Sequence, residues 1–258
     1  MAKRSATQLI GTAAATGSLI EHAYSQMRND IIDGRLAPGE KLRVEHLKTR
    51  YGVSAGTLRE AITRLASDVL VVAESQRGFR VTVVTVADLE DLTNLRLLIE
   101  IDALRRSIRQ ADDRWRANLQ RTYDEVSALE RPLRPEWRER WEVANGRFHE
   151  ALICGCASAW TLNVSRMLAR HGERYRRYTI ALQKDSGRDV HAEHSEIYRH
   201  AMAGNDARAA LALEVHVRNT LDVILEAQRR GMDVFRVDVG QASQSLKAAS
   251  SREHLAAT

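Results

Sequence analysis

The chain has 258 residues, enough for two ordinary domains, and its 44% hydrophobic and 28% charged residues favour packed cores. Only three prolines and 5% aromatic residues occur, a composition typical of a mostly helical protein rather than an all-β one. No apolar run approaches a membrane span and the N-terminus lacks a signal-peptide core, so we expect a cytoplasmic protein with no membrane partner.

The chain begins with an arm and two predicted helices. Residues 1–16 are rich in alanine, threonine, serine and glycine and predict a flexible N-terminal arm. An amphipathic pattern over residues 18–33 predicts the first helix. The Pro38-Gly39 pair then predicts a turn, and residues 44–51 predict a short second helix.

The segment over residues 51–65 predicts the turn and second helix of a helix-turn-helix. Gly52 can adopt the positive φ of the turn, and the Ser54 hydroxyl can cap the helix. Apolar residues at helical spacing form one face that we expect to be buried: Leu58, Ile62 and Leu65. The opposite face carries short or cationic groups that fit a DNA major groove: Ser54, Gly56, Thr57, Arg59 and Thr63. An ordinary amphipathic surface helix is the alternative.

A predicted hairpin follows this helix. Two β-branched runs, residues 69–73 and 79–83, predict strands joined by a turn that carries Arg77 and Gly78. Three helices and a basic hairpin predict a winged helix-turn-helix over residues 17–85, in which Arg77 and Arg80 can reach DNA from the wing. The charge agrees, because residues 1–85 hold 12 Lys and Arg against 8 Asp and Glu, whereas the remainder holds 27 against 26.

These spacings point to a known family. The segments 36–42, 53–65 and 77–81 together resemble the GntR family of bacterial transcription regulators. The resemblance implies that Arg59 and the residues opening its helix contact operator DNA. It also implies that Gly78 lets the tip of the wing approach the DNA backbone.

Two residues depart from the family pattern. Ala55 stands where many members carry an arginine, so a base-reading group is missing and the operator sequence cannot be borrowed from relatives. Val69 stands where the family usually has glycine. A β-branched residue would be strained there if the backbone needs a positive φ.

From about Val86 the chain changes to successive amphipathic helices without strand-like alternation. We expect helices at about 87–110, 112–130, 135–155, 158–183, 187–204 and 206–230. Residues 86–232 therefore predict an all-α domain, most simply an antiparallel bundle, and residues 233–258 predict a disordered tail. The predicted fold class is mainly α, a winged helix-turn-helix followed by this helical bundle.

Three histidines fall on the apolar faces of three of these helices. His149 shares a face with Asn145 at i, i+4, while His194 and His216 each lie on an apolar stripe. Histidines that converge inside a bundle can bind a transition metal. Each histidine alone is more often a hydrogen-bonded core residue, and the residues by themselves leave both interpretations open.

A second resemblance covers residues 86–230. The pattern of Asn145, Phe148 and His149, then the Glu193-His194 pair and His216, resembles the FCD-type ligand-sensing domain of the FadR subfamily of GntR regulators. This implies one divalent transition metal per chain, Zn²⁺ or Ni²⁺, with four ligands: Asn145, His149, His194 and His216.

The same resemblance implies a small carboxylate effector held at the metal with help from Arg96. Asparagine replaces the commoner aspartate at position 145, so we expect weaker metal binding and a stronger pull on an anion. Arg96 could instead be a solvated residue that pairs with Glu100 at i, i+4.

The two resemblances imply a DNA-binding transcription regulator, a repressor, that senses a small organic acid. A homodimer on a palindromic operator follows, because helix-turn-helix proteins read paired half-sites. The alternative is a metal-dependent enzyme with an attached DNA-binding module, since three histidines leave open coordination positions. Glu193 and Glu196 are predicted to point away from the face of His194, which leaves no evident general base, so we expect no enzymatic activity.

Overall fold

The computed structural model describes residues 6–74, 78–131, 133–182 and 187–235. They form two compact units, one with the described residues up to Val84 together with Phe235, the other spanning Thr85–Val234. Each unit has its own buried apolar cluster. Among the described residues no helix is both long and apolar enough to cross a membrane. The predicted tail lies, beyond Phe235, outside the described residues.

The first unit is a three-helix winged helix-turn-helix, as predicted. The first helix begins at Ala6 rather than near residue 18, so it includes residues that the sequence assigned to an arm. A three-stranded antiparallel sheet, in the order β1-β3-β2, forms the wing. The elements are α1 (Ala6–Ile32), β1 (Lys41–Leu42), α2 (Val44–Tyr51), α3 (Ala55–Ser67), β2 (Val71–Glu74) and β3 (Gly78–Val81).

Helix α3 has the predicted turn, cap and buried face. Gly52 ends α2 in the left-handed conformation at φ +65°. The Ser54 hydroxyl then caps α3 by accepting the Thr57 N–H at 3.1 Å. The predicted apolar stripe is fully buried in the unit's core: Leu58, Ile62 and Leu65.

Asp30 ties α1 to the chain that follows it. Asp30 is only 8% exposed and lies near the C-terminal end of α1. It accepts hydrogen bonds from Arg35 Nε at 2.6 Å, Arg50 Nη2 at 2.7 Å and the Tyr51 hydroxyl at 2.6 Å. Two guanidinium groups compensate the buried charge, so one side chain links α1, the turn after it and the end of α2.

Val69 adopts the left-handed backbone conformation, which is unfavourable for a β-branched residue. It lies just after α3 with φ +56° and half of its surface exposed. Its N–H donates to Ala66 O at 3.0 Å and its carbonyl accepts from the Thr82 hydroxyl at 2.7 Å. These bonds hold a β-branched residue in the left-handed region, so the strain expected from the sequence is present.

Replacing Val69 with glycine is expected to stabilise the first unit by about 1 kcal/mol, because glycine adopts this conformation without the Cβ clash. The free energy of unfolding from urea titration measures the change. Val72→Gly is the matched control, since Val72 is also exposed but lies within strand β2. That substitution should cost about 0.5–1 kcal/mol. A loss of stability in both variants would contradict the assignment of strain to Val69.

The described residues of the second unit form a helical bundle, and its six long helices match the predicted ones to within a few residues. Helix α4 packs against α6, α7 and α9, and α5 packs against α6 and α8. Five helices begin at a side chain that accepts a backbone N–H of the first turn: Thr85, Asp112, Ser158, Asp189 and Asn205. The helices are α4 (Val86–Arg109), α5 (Asp113–Glu130), α6 (Arg138–Ile153), α7 (Ala159–Ala181), α8 (Val190–Met202) and α9 (Asp206–Arg229).

Candidate functional site

Three helices bring the predicted histidines together inside the second unit. His149 comes from α6, His194 from α8 and His216 from α9. Each offers a ligand atom, and these atoms all lie within 4.8 Å of one another. The ring centroids of His194 and His216 are 4.6 Å apart, and those of His149 and His216 are 5.0 Å apart. We call these three residues the histidine cluster.

Two buried carboxylates fix the orientation of two of the rings. His194 Nδ1 lies 2.8 Å from Glu130 Oε1, and His216 Nδ1 lies 2.7 Å from Glu193 Oε2. A carboxylate at Nδ1 makes that nitrogen the protonated one and leaves Nε2 with a free lone pair. The rings are therefore set to offer Nε2 as a ligand.

Two of the candidate ligand atoms are buried without a hydrogen-bond partner among the described residues. They are His194 Nε2 and Asn145 Oδ1, and the Asn145 side chain is only 3% exposed. Buried polar atoms normally find a partner, and both atoms carry lone pairs that a cation would satisfy. Three imidazoles and one amide oxygen form a donor set that fits a divalent transition metal.

Burial keeps His149 and His216 in the neutral form that binds metals. Loss of solvent lowers the pKa of His149 well below its usual value, and repulsion from the other two histidines adds to the effect. The pKa of His216 is lowered in the same way, first by burial and then by His194 and nearby arginines. Neutral imidazole is the ligating form, so no proton has to leave these rings at pH 7.

A small cavity of about 30 Å³ opens beside the cluster, enough for one or two water-sized groups. Arginines from three segments line it: Arg96, Arg176 and Arg188. Each is paired with a glutamate, in the pairs Arg96–Glu100 at 2.8 Å, Arg176–Glu142 at 2.8 Å and Arg188–Glu193 at 2.7 Å.

Arg96 has a position in the cavity and a salt bridge to Glu100 at the same time. The two residues of this salt bridge are at i and i+4. The pair is buried, however, so the interpretation of Arg96 as a solvated surface residue is wrong.

The sequence did not identify the carboxylates around the histidines. Glu193 was expected to point away from the face of His194, and it instead contacts His216 on the next helix. Glu130 lies 64 residues before His194 at the end of α5, so no local spacing relates the two. His191, on the same helix as His194, is also buried, with Nδ1 at 3.4 Å from Glu130 Oε2.

The first unit presents part of the predicted DNA-binding set on the outer face of α3. Gly56, Arg59 and Thr63 are exposed there, with Ser54 at the cap and Thr57 half-buried. Within the described residues Arg59 makes no side-chain hydrogen bond or ion pair, so its guanidinium is available to a ligand. The Thr63 hydroxyl donates back to Arg59 O at 2.9 Å, as serine and threonine in helices often do.

The described wing residues, Gly78 and Arg80, have different structural roles. Gly78 has φ +92°, which explains the need for glycine at that position. Arg80 binds Glu74 at 2.7 Å and the Gly39 carbonyl at 2.5 Å, so it holds the wing together from within. Arg77 lies outside the described residues.

Comparisons with known proteins agree with both units. Residues 19–81 match the family described as bacterial regulatory proteins, gntR family, and residues 91–219 match the FCD domain. The HTH-type transcriptional regulator BphR of Paraburkholderia xenovorans (strain LB400), described as uncharacterized, is 41% identical over 210 residues, which cover 80% of this chain and 85% of BphR. The HTH-type transcriptional repressor GlaR of Escherichia coli (strain K12) is 30% identical over 209 residues, covering 79% of this chain and 94% of GlaR.

Solved structures show the same fold. A putative transcriptional regulator GntR from Rhodococcus sp. RHA1 aligns with a TM-score of 0.65 at 24% identity, covering 81% of this chain and 99% of that protein. At that identity the likeness supports the architecture of a winged helix-turn-helix with a helical unit.

Proposed function

The chain belongs to the gntR family of bacterial regulatory proteins, and from this membership we propose that it is a transcriptional repressor that senses a small organic acid. Binding to operator DNA belongs to the first unit, and sensing belongs to the FCD domain in the second. One observation carries the sensing proposal: three helices bring a histidine cluster beside an arginine-lined cavity.

The histidine cluster and Asn145 are the residues that would hold a divalent metal. Glu130 and Glu193 orient His194 and His216, and burial keeps His149 and His216 neutral. A bound divalent ion would supply two positive charges and open coordination positions for the carboxylate of an acid. Arg96 lines the same cavity and can donate hydrogen bonds to that carboxylate.

Repression, dimerisation and location are further parts of the proposal. GlaR, which is similar over most of its length, is described as a repressor. Helix-turn-helix proteins bind paired half-sites, so we infer a homodimer on a palindromic operator in double-stranded DNA. The bacterial cytoplasm, where that DNA lies, is the expected location.

The alternative function, a metal-dependent enzyme, is disfavoured by the positions of the carboxylates. Glu130 and Glu193 contact the histidines at Nδ1, the side of the ring away from the nitrogen offered to a metal. They are placed to orient ligands, and a general base must reach the reacting proton instead.

The proposal is tested by linking metal, acid and DNA in one assay. We expect roughly one divalent ion per chain after reconstitution with Zn²⁺. DNA selected by the protein from a random duplex library would serve as the operator, with affinity measured by fluorescence anisotropy. A panel of short carboxylates should contain one that weakens this affinity about 5–150-fold in the metal-loaded protein only. No metal after reconstitution, or an equal acid effect in chelator-treated protein, would contradict the sensing proposal.

A further inference from the structure

Gly172 makes room for two arginine side chains on the wall of the cavity. It is buried in the middle of α7, and Arg176 follows it at i+4 on the same helical face. A Cβ at this position would lie 3.2 Å from Arg176 Nη1 and 3.4 Å from Arg96 Nη1. The two Nη1 groups, one from α7 and one from α4, therefore meet around a single point.

Both guanidinium groups are held so that Nη1 remains available. Arg96 donates to Glu100 through Nε at 2.8 Å and Nη2 at 3.2 Å. Arg176 donates to Glu142 through Nε at 3.1 Å and Nη2 at 2.8 Å. In the part of the chain that the structure describes, neither Nη1 donates a hydrogen bond. Each glutamate thus fixes one edge of its arginine and leaves the remaining nitrogen beside Gly172.

Arg188, the third arginine of the cavity, is arranged differently. Its Nη1 donates to the Thr220 hydroxyl at 3.1 Å, and its Nη2 donates to the His216 carbonyl at 3.0 Å. All of its nitrogens therefore bind protein atoms, and it serves to link α8 to α9. Of the described arginines that line the cavity, Arg96 and Arg176 are the two that keep a donor for a ligand.

We propose that Arg96 and Arg176 form a two-arginine clamp for a carboxylate group of the effector, and that Gly172 determines its geometry. The clamp rests on the proposed function, because both arginines line the cavity of the acid-sensing site. A planar carboxylate has two oxygens, so it can accept from both Nη1 groups at once. Since the arginines are already fixed by Glu100 and Glu142, little side-chain freedom is lost when the acid binds.

The clamp also accounts for a glycine in a helix interior. Glycine is unfavourable there compared with alanine, which pays less backbone entropy. An alanine at 172 would displace the end of the Arg176 side chain by a few tenths of an ångström, bring a methyl group into contact with Arg96 Nη1, and leave the surrounding backbone in place. The substitution should therefore favour the helix and damage the clamp.

The test compares Gly172→Ala with Gly146→Ala. Gly146 lies in the interior of α6, and a Cβ added there meets no atom within 4 Å. Zinc-loaded wild type and both variants are titrated by calorimetry with unbranched mono- and dicarboxylates, from acetate to adipate. For the acid that binds wild type most tightly, we expect Gly172→Ala to lose about tenfold or more in affinity. Gly146→Ala should bind it like wild type, and both variants should melt no lower than wild type.

The outcomes separate this inference from the proposed function. Binding of the acid by wild type and Gly172→Ala with equal affinity overturns the clamp and leaves acid sensing intact. If no acid binds wild type, both the clamp and the acid-sensing function are overturned. Arg176→Lys is the second variant, because lysine keeps the charge but cannot bind Glu142 and the ligand through one rigid fork. It should weaken acid binding with metal content unchanged, and unaltered acid affinity would also overturn the clamp.

Discussion

Replacing His194 with alanine is expected to abolish metal binding. His194 is fully buried, and its Nε2 is one of the two candidate ligand atoms without a hydrogen-bond partner among the described residues. Partners outside the coordination sphere are each worth about 10–100-fold in metal affinity, so loss of a direct ligand should exceed about 100-fold. Metal content after dialysis against excess metal-free chelator measures the loss. Any acid-dependent change in DNA affinity should disappear with the metal.

His200→Ala is the matched control for this experiment. His200 lies on the same helix, α8, is also buried and also contacts a glutamate, with Nε2 at 2.8 Å from Glu196 Oε1. It is not part of the histidine cluster, so its removal should leave metal content unchanged. Equal metal content in wild type and the His194 variant would exclude the cluster as the binding site.

Replacing Arg59 with alanine should weaken operator binding by about 1–3 kcal/mol, or roughly 5–150-fold, because we expect its guanidinium to contact a base of the operator. The exposed side chain has no ion pair to break within the described residues, so the fold should keep its stability. Fluorescence anisotropy at one fixed salt concentration is required, because phosphate contacts make the affinity strongly salt-dependent.

Arg64→Ala separates a contact of Arg59 from a general loss of positive charge. Arg64 lies on the same helix but pairs with Glu21 at 2.7 Å and lies over the Tyr24 ring at 4.5 Å. Its removal takes away the same charge from a side chain engaged with α1, so we expect a much smaller loss of DNA affinity. Equal losses in both variants would assign the effect to charge alone.

Local patterns in the sequence were sufficient to predict the helices of this protein. Caps such as Ser54 and Asp112 act within one helical turn, so their effect can be read from neighbouring residues. Strand β1 was missed because it has only two residues and exists through pairing with the distant Arg80 and Phe79. The helical start at Ala6 was also missed, because the composition of residues 6–16 resembles that of a flexible arm.

Some residues of the candidate site could also be predicted from local sequence patterns, and others could not. The histidines could be selected because each lies on an apolar helical face, where burial of a polar ring costs free energy unless the ring gains a hydrogen bond or a metal. Glu130 and Arg176 could not, since their roles depend on which helices pack together and not on spacing along the chain. Amphipathic periodicity alone did not decide whether the three histidines converge. Their convergence was predicted from the resemblance to known regulators.

The Asp30 carboxylate has a consequence for how the first unit unfolds. Because it joins Arg35, Arg50 and Tyr51, α1 cannot separate from α2 without stranding a charge or two guanidinium groups. Fraying of the long N-terminal helix should therefore stop before Asp30 is reached. The end of α1 and all of α2 then open together, as one cooperative unit, and their slowest amide protons should exchange at matching rates.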